Sequence, residues 1–239
     1  MRQMIMVGFL QAQNCTNLAS SWRHPASRTD SWSPDFYRHI GRVLEEGKFH
    51  LGFFDDRLSM PDMYGRNHAH TVQHGIRCVK LDAVTVLTVM GMATQRLGLG
   101  ATYSTSYYEP FHVARVFATL DLMTQGRAAW NVVTSLNDGE AQNMGRDEAV
   151  AHDLRYDRAD EFMEIVLGHW DAWGTTLSSR TREADFLPNL KKFIASIMRA
   201  ATSARAGRSR CRVRRKGIRS SSRPDRAAAA RHLARAGAN

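Results

Sequence analysis

Apolar positions follow two alternating periods along the first two-thirds of the chain. Residues 4–10 form a short continuous apolar run, which predicts a buried strand. A loop rich in Ser, Asn and His follows, through Trp22-Arg23-His24-Pro25. Over 35–48 the period becomes helical, with Phe36, Ile40, Val43 and Leu44 on one face and Gly47 marking the end. Residues 49–54 predict a second strand that runs straight into Asp55 and Asp56, and 57–80 carry no period and predict a long loop. An apolar helix is expected over 81–94, a third strand over 96–102, and a helix over 109–122 with Pro110 in its first turn. A fourth strand is expected over 126–134. Residues 153–173 predict a long amphipathic helix with Phe162, Ile165, Val166 and Trp170 as its buried stripe.

Strand and helix thus alternate four times, which implies right-handed β-α units and a parallel sheet. A doubly wound sheet and a (β/α)8 TIM-type barrel both satisfy that pattern. No glycine-rich dinucleotide fingerprint follows the first strand, and Gly98 and Gly100 lie inside a strand, where they suit close packing. This favours the barrel, cut to about its first four β-α units. In a barrel the chemistry collects at the C-terminal ends of the strands. Here those ends carry Asp55 and Asp56, Thr102 and Ser104, and Asn131 and Thr134.

Charge divides the chain in two. Residues 1–173 hold 16 basic and 20 acidic side chains, whereas residues 174–239 hold 17 and 3. The pI near 10.1 therefore describes the second part alone. That part has almost no aromatics to stack on bases and no recognition-helix pattern, so a basic-tailed, non-enzymatic nucleic-acid-binding protein is the weaker alternative. Its composition is that of a segment without an independent fold. The three cysteines, Cys15, Cys78 and Cys211, are odd in number and far apart, which argues against a disulfide framework and for a cytoplasmic setting. No secretory signal stands out. The longest apolar stretch, 83–93, is too short to cross a bilayer.

Each candidate has a plain structural reading beside the chemical one. Asp56 can cap a turn as readily as bind a ligand. His152 and Tyr156 are four apart on a helix and share a face, as a surface pair would too. Asn131 inside an apolar strand is harder to set aside, because a buried amide needs partners. His68, His70 and His74 lack matching Cys or Asp companions, so no metal site is expected. Cys15, after the first strand, faces the mouth of a barrel or simply fills space.

Several segments occur together in a fixed order: Trp22-Arg23-His24-Pro25, Phe53-Phe54-Asp55-Asp56, the stretches 97–102 and 108–115, Thr119-Leu120-Asp121, Gly126-Arg127, the stretch 130–135, His152 to Tyr156, and the stretch 159–162. In them the chain resembles the flavin-dependent monooxygenases of the bacterial-luciferase-like superfamily. The branch is that of nitrilotriacetate monooxygenase component A and dibenzothiophene-sulfone monooxygenase. The resemblance covers about residues 4–173. It implies a (β/α)8 barrel that takes reduced FMN from a separate NAD(P)H:flavin reductase and uses O2 to oxygenate a small organic substrate. The parent enzyme would be a homo-oligomer, with no membrane association. The resemblance puts Asp56, Thr102, Asn131, His152 and Tyr156 at the cofactor. It leaves Cys15 and His152 as weak candidates for a catalytic role.

The family also needs a fifth strand ending in a Gln-Ala-Gly-type loop, which residues 174–239 do not supply. With free choice of codons, shifting the reading frame by one nucleotide lets 207–225 spell a string ending in Gln-Ala-Gly, and lets 187–198 spell a second family-like string. The expectation is that residues from about Gly174 onward are out-of-frame translation and that the chain is an inactive fragment of its parent enzyme.

Overall fold

The computed structural model describes residues 4–14 and 21–171; the 174–239 segment and its expected frameshift lie outside the described residues. Four strands form one sheet: β1 (Val7–Gln11), β2 (Leu51–Asp55), β3 (Gly98–Ser104) and β4 (Ala128–Val133). All neighbours are parallel and the order is β1-β2-β3-β4. A doubly wound sheet would reverse direction about its first strand. Consecutive order is that of the opening β/α units of a barrel, as expected.

The connecting helices are α1 (Pro34–Glu46), the short α2 (Ala69–Gln73), α3 (Ala83–Ala93), α4 (Pro110–Met123), the short α5 (Asp138–Asn143) and α6 (His152–Asp171). Their starts are written in the sequence. The Ser33 side chain accepts from the Asp35 N–H at 3.1 Å at the head of α1, and Asp82 accepts from the Thr85 N–H at 2.8 Å at the head of α3. The expected loop over 57–80 in fact contains α2 and a single 3-10 turn, Tyr64–Arg66. Helix α5 was not expected at all.

Strand alternation sorts the side chains into two layers. Phe54 packs on Tyr37 of α1, Tyr103 on Phe117 of α4, and Trp130 on Phe117, Phe162 and Trp170 of α4 and α6. These residues join Leu87, Met90, Leu97, Leu99 and Val113 in the core between sheet and helices. Each fully buried aliphatic side chain there contributes about 1.5–3 kcal/mol of transfer free energy. Of the expected stripe of α6, Phe162 and Val166 are buried and Trp170 packs against the core, while Met163 rather than Ile165 packs beside them. Of the expected stripe of α1, Phe36, Ile40 and Leu44 pack against the core, and Val43 needs correction. Val43 is 49% exposed, and Tyr37 and Gly41 are the buried positions. A Cβ on Gly41 would stand 3.2 Å from Thr94 Cγ2, so α1 meets α3 along a line that passes through a residue without a side chain.

The opposite face of the sheet points to the barrel interior. It carries Val7, Phe9 and Gln11 on β1, Leu51, Phe53 and Asp55 on β2, Gly98, Gly100, Thr102 and Ser104 on β3, and Ala129, Asn131 and Val133 on β4. Phe9 and Phe53 meet there with ring centroids 5.8 Å apart, and Phe9 is 57% exposed. At the other end of the strands a polar clamp closes the base. Arg127 donates five hydrogen bonds, to Thr124 O, Thr94 Oγ1, Leu97 O, Gly91 O and Thr94 O. Glu45 accepts from the backbone N–H groups of Gln95 and Leu97 at 3.0 and 2.9 Å. Burial pushes the Glu45 carboxyl up, but those N–H groups, that of Arg96 and the Arg127 charge outweigh it and hold its pKa below the usual value.

Candidate active site

The C-terminal ends of the strands present three polar pairs, two of them spanning adjacent strands and the third joining β3 to the residues just after β4. Gln11 Nε2 donates to Asp55 Oδ2 at 3.3 Å. Asn131 Nδ2 donates to Thr102 Oγ1 at 3.1 Å, at facing register positions of β3 and β4. Ser135 Oγ donates to Ser104 Oγ at 2.9 Å, both side chains buried. Such pairs satisfy buried polar groups while leaving further lone pairs and protons for a ligand.

Next to them lies a desolvated carboxylate. Asp56, Thr102, Ser104, Tyr108 and Ser135 line one small pocket. Burial raises the Asp56 pKa from 3.8 to about 6, with the neighbouring Asp82 and Asp55 adding to it and Lys80 opposing it. Lys80 Nζ stands 3.9 Å from Asp56 Oδ1 and donates to Arg57 O. Burial lowers the lysine pKa in turn, against the pull of Asp56, Asp55 and Glu140. Tyr103 and Tyr108 stack with centroids 4.1 Å apart, and the Tyr103 hydroxyl donates to Asp82 Oδ2 at 3.3 Å. Burial also pushes the Tyr108 hydroxyl up to about 12, so it is a neutral donor across the physiological range.

Outside this pocket a cleft of about 510 Å3 opens between the segment after β2 and the loop into α5. That volume lies within the 300–1,000 Å3 usual for small-molecule sites. Gln11, Gln13, Arg57, Arg77 and Lys80 bring donors to it, and Met60 and Leu136 bring apolar wall. Helix α5 fixes the far side. Glu140, 4% exposed, accepts from the Leu58 N–H at 3.0 Å and closes a capping box with Asn137, and Asn143 Nδ2 donates to Leu58 O at 2.7 Å. Both backbone groups of Leu58 are therefore held by one helix.

Helix α6 returns antiparallel to β4, so its first turns stand at the same end. Arg155, 7% exposed, donates to Ser135 O, and Arg158 Nε donates to Thr105 O at 3.2 Å. Ser135 sits at φ 56°, a left-handed conformation unfavourable for a non-glycine residue and held here by the Arg155 and Ser104 bonds.

Asp56, Thr102 and Asn131 thus gather where the strand-end reasoning put them. His152 and Tyr156 are also neighbours, with ring centroids 4.8 Å apart on the first turns of α6. They face outward: the His152 side chain is 69% exposed and its Nδ1 lies 2.9 Å from Asp153 Oδ1. Cys15 lies outside the described residues. The His70 and His74 rings pack at 4.3 Å, and no group of three or more His, Cys, Asp or Glu able to hold a metal ion occurs among the described residues. No described helix is long and apolar enough to cross a membrane. Lys80, Tyr108, Ser135 and Glu140 were not anticipated. Only Glu140 left a sequence signal, as the third residue after Asn137 in a capping-box pattern.

Known proteins resemble this chain in sequence and fold. Dibenzothiophene-sulfone monooxygenase of Rhodococcus erythropolis is 50% identical over 173 residues, covering 72% of this chain and 38% of that protein. The crystal structure of long-chain alkane monooxygenase superposes with a TM-score of 0.73 at 30% identity, over 80% of this chain and 45% of that one. A riboflavin lyase structure with a modified FMN and riboflavin gives 0.72 at 31% identity, over 78% and 42%. The chain therefore spans well under half the length of these relatives. The luciferase-like monooxygenase family model matches residues 20–239, and the chain belongs to that family.

Proposed function

We propose that residues 4–171 carry the flavin-edge half of an FMNH2-dependent, two-component monooxygenase acting on a small organic substrate. The observation that carries this reading is the Thr102–Asn131 pair on the interior face, next to desolvated Asp56 at the strand ends. The residues suit the cofactor. Gly98, Gly100 and Ala129 keep the middle of the face low, Phe53 and Val133 give it apolar surface, and the polar pairs sit at one rim. Asp56, Thr102 and Asn131 hold the polar edge of the ring system. His152 and Tyr156 bind an outlying part of the same ligand from α6, and Cys15 and His152 are the candidates for a catalytic role. Reduced FMN, delivered by a separate NAD(P)H:flavin reductase, supplies two electrons, so that one atom of O2 enters the substrate and the other leaves as water. The protein's own part is to orient these partners and keep bulk water out. The setting is cytoplasmic and the parent enzyme is a homo-oligomer. Residues 174–239 lie outside this site and are out-of-frame translation, so the chain as written does not turn over.

Anaerobic titration of reduced FMN into the 239-residue chain, followed by tryptophan fluorescence, tests the assignment. Binding should saturate, and Asn131→Ala and His152→Ala should each weaken it about tenfold, the scale of one lost hydrogen bond to a charged or buried group. Cys78→Ala should leave it unchanged. No binding, or one dissociation constant for all four proteins, would sink it. A duplex-DNA affinity that falls steeply with salt would favour the nucleic-acid reading instead.

A further inference from the structure

The chain changes direction at Ser135. Before it, the end of β4 is bonded to the segment after β3: the Thr105 N–H donates to Val133 O at 2.8 Å, and the Ser106 hydroxyl donates to Thr134 O. After it, the Leu136 N–H donates to Glu140 Oε2 at 3.3 Å and α5 begins. Ser104 and Ser135 line the small inner pocket with Asp56 and Thr102, while Leu136, Asn137 and Asp138 line the outer cleft. One left-handed residue, at φ 56°, therefore sets the wall of both spaces. A serine is strained in that conformation and a glycine is not.

Arg155 reaches this joint from α6. Its Nη1 donates to Ser135 O, and its Nε, sealed from solvent, has no hydrogen-bond partner. Among the described residues no carboxylate forms an ion pair with it. Its side chain lines neither the inner pocket nor the outer cleft. A buried cation so short of partners works against the fold, and an apolar side chain of similar length would fill the same space without that desolvation. What the arginine adds is one charge-assisted bond to one carbonyl. Arg158, three residues on and on the same face of α6, makes the matching bond to Thr105 O at 3.2 Å. Helix α6 thus grips the segments after β3 and β4 with one arginine each.

We propose that Arg155 is a positioning residue for the reduced-flavin site: it pins the Ser135 carbonyl, keeps Ser135 left-handed, and so keeps the Ser104–Ser135 hydroxyl pair turned into the pocket shared with Asp56 and Thr102. The inference rests on the flavin reading for the identity of the ligand, and on the geometry of the joint for the rest. Arg155 acts through Ser135 and touches no ligand itself.

The three-bond coupling between the Ser135 amide and α protons reports its φ without any ligand, in the 239-residue chain. It should move toward the value of extended backbone in Arg155→Met, return in part in Arg155→Lys, whose ammonium still offers a donor, and stay unchanged in Arg127→Ala, which weakens only the base of the sheet. Far-UV circular dichroism checks that each variant is folded, and Arg155→Gln serves where the methionine variant is not. In anaerobic titration with reduced FMN, Arg155→Met and Ser135→Gly should each bind about tenfold more weakly than the wild type. The double variant should bind within about twofold of Ser135→Gly, because both changes act on one hydroxyl. If Arg155 touches the ligand directly, or only supports the fold at large, the two losses multiply to about a hundredfold, and that result overturns the proposal, as does a Ser135 that keeps its φ in Arg155→Met. A wild-type chain that fails to bind reduced FMN while Arg155→Met still moves the Ser135 coupling counts against the flavin reading alone; intact FMN binding with an unmoved coupling counts against this one alone.

Discussion

Asp56 shows how a single side chain at the proposed site can work against stability. Its carboxyl is desolvated and its pKa rises from 3.8 to about 6, so the folded state prefers the protonated form. The sign follows by linkage. The stabilising contribution is complete below pH 3.8 and is lost as the pH climbs through about 6. Asp56→Asn removes the ionisation while keeping the shape. Denaturant melts should therefore show the wild-type chain losing stability relative to Asp56→Asn across that window, with a flat difference above it. A constant difference at every pH would mean that Asp56 is well solvated. A group kept ionised at neutral pH at such a cost is consistent with a ligand that uses its charge. Glu45 behaves oppositely. Its depressed pKa supplies stability above the ordinary glutamate value of 4.5, and this is lost as the pH falls through the lower folded value.

Among the elements, Arg127 does for the base what α5 and α6 do for the mouth. One guanidinium ties the end of α3, the end of α4 and the start of β3 to the start of β4. Arg127→Ala leaves four backbone carbonyls short of a donor and should cost on the order of 2–4 kcal/mol in chemical denaturation. Reduced-FMN affinity in the folded fraction should stay unchanged, since the base of such a fold serves stability. All four strands and the four long helices were legible in the periodicity, with ends displaced by a few residues. β1 starts at Val7, where its register with β2 begins, although Met6 O still accepts from the His50 N–H at 2.9 Å. Helix α5 escaped notice because Asp138–Asn143 carries no apolar stripe and is held by caps and by Leu58. The contact line of α1 was misjudged at Val43 because Gly41, at its centre, has no hydropathy to show. The site was legible in part for the same kind of reason. Asp56 directly follows β2, and Thr102 and Asn131 face each other in the C-terminal halves of β3 and β4, positions that can be counted along a sequence. Lys80 comes to Asp56 only through the pairing of 12–14 with 79–81, a long-range contact that no local period encodes.

For the whole molecule the sharpest expectation concerns the gene. The acidic-to-basic change near Gly174 coincides with the end of the legible β-α pattern, and with free choice of codons a one-nucleotide shift can spell family-like strings beyond it. Sequencing across codons 165–185 should find an insertion or deletion relative to an open frame that continues the barrel. An unbroken frame there, with no alternative frame open downstream, would make the basic segment a true part of the protein.

The consecutive strand order bears on how such a chain is made. Each strand pairs only with the strands before and after it in sequence, and the next one begins 30 to 47 residues later, at positions 7, 51, 98 and 128. At roughly 5–20 residues per second of translation, each new ladder partner leaves the ribosome some seconds after the last. Hydrogen-bonded ladders and helix contacts form orders of magnitude faster than that. The sheet can therefore grow during synthesis by adding one strand at a time beside the newest one, while the outer edge of β1 has no strand partner among the described residues. The growing edge at any moment is the newest strand, and the interior apolar face bearing Phe9 and Phe53 stays uncovered throughout. Crowded polysomes carrying this message are where that surface would first meet its own copies.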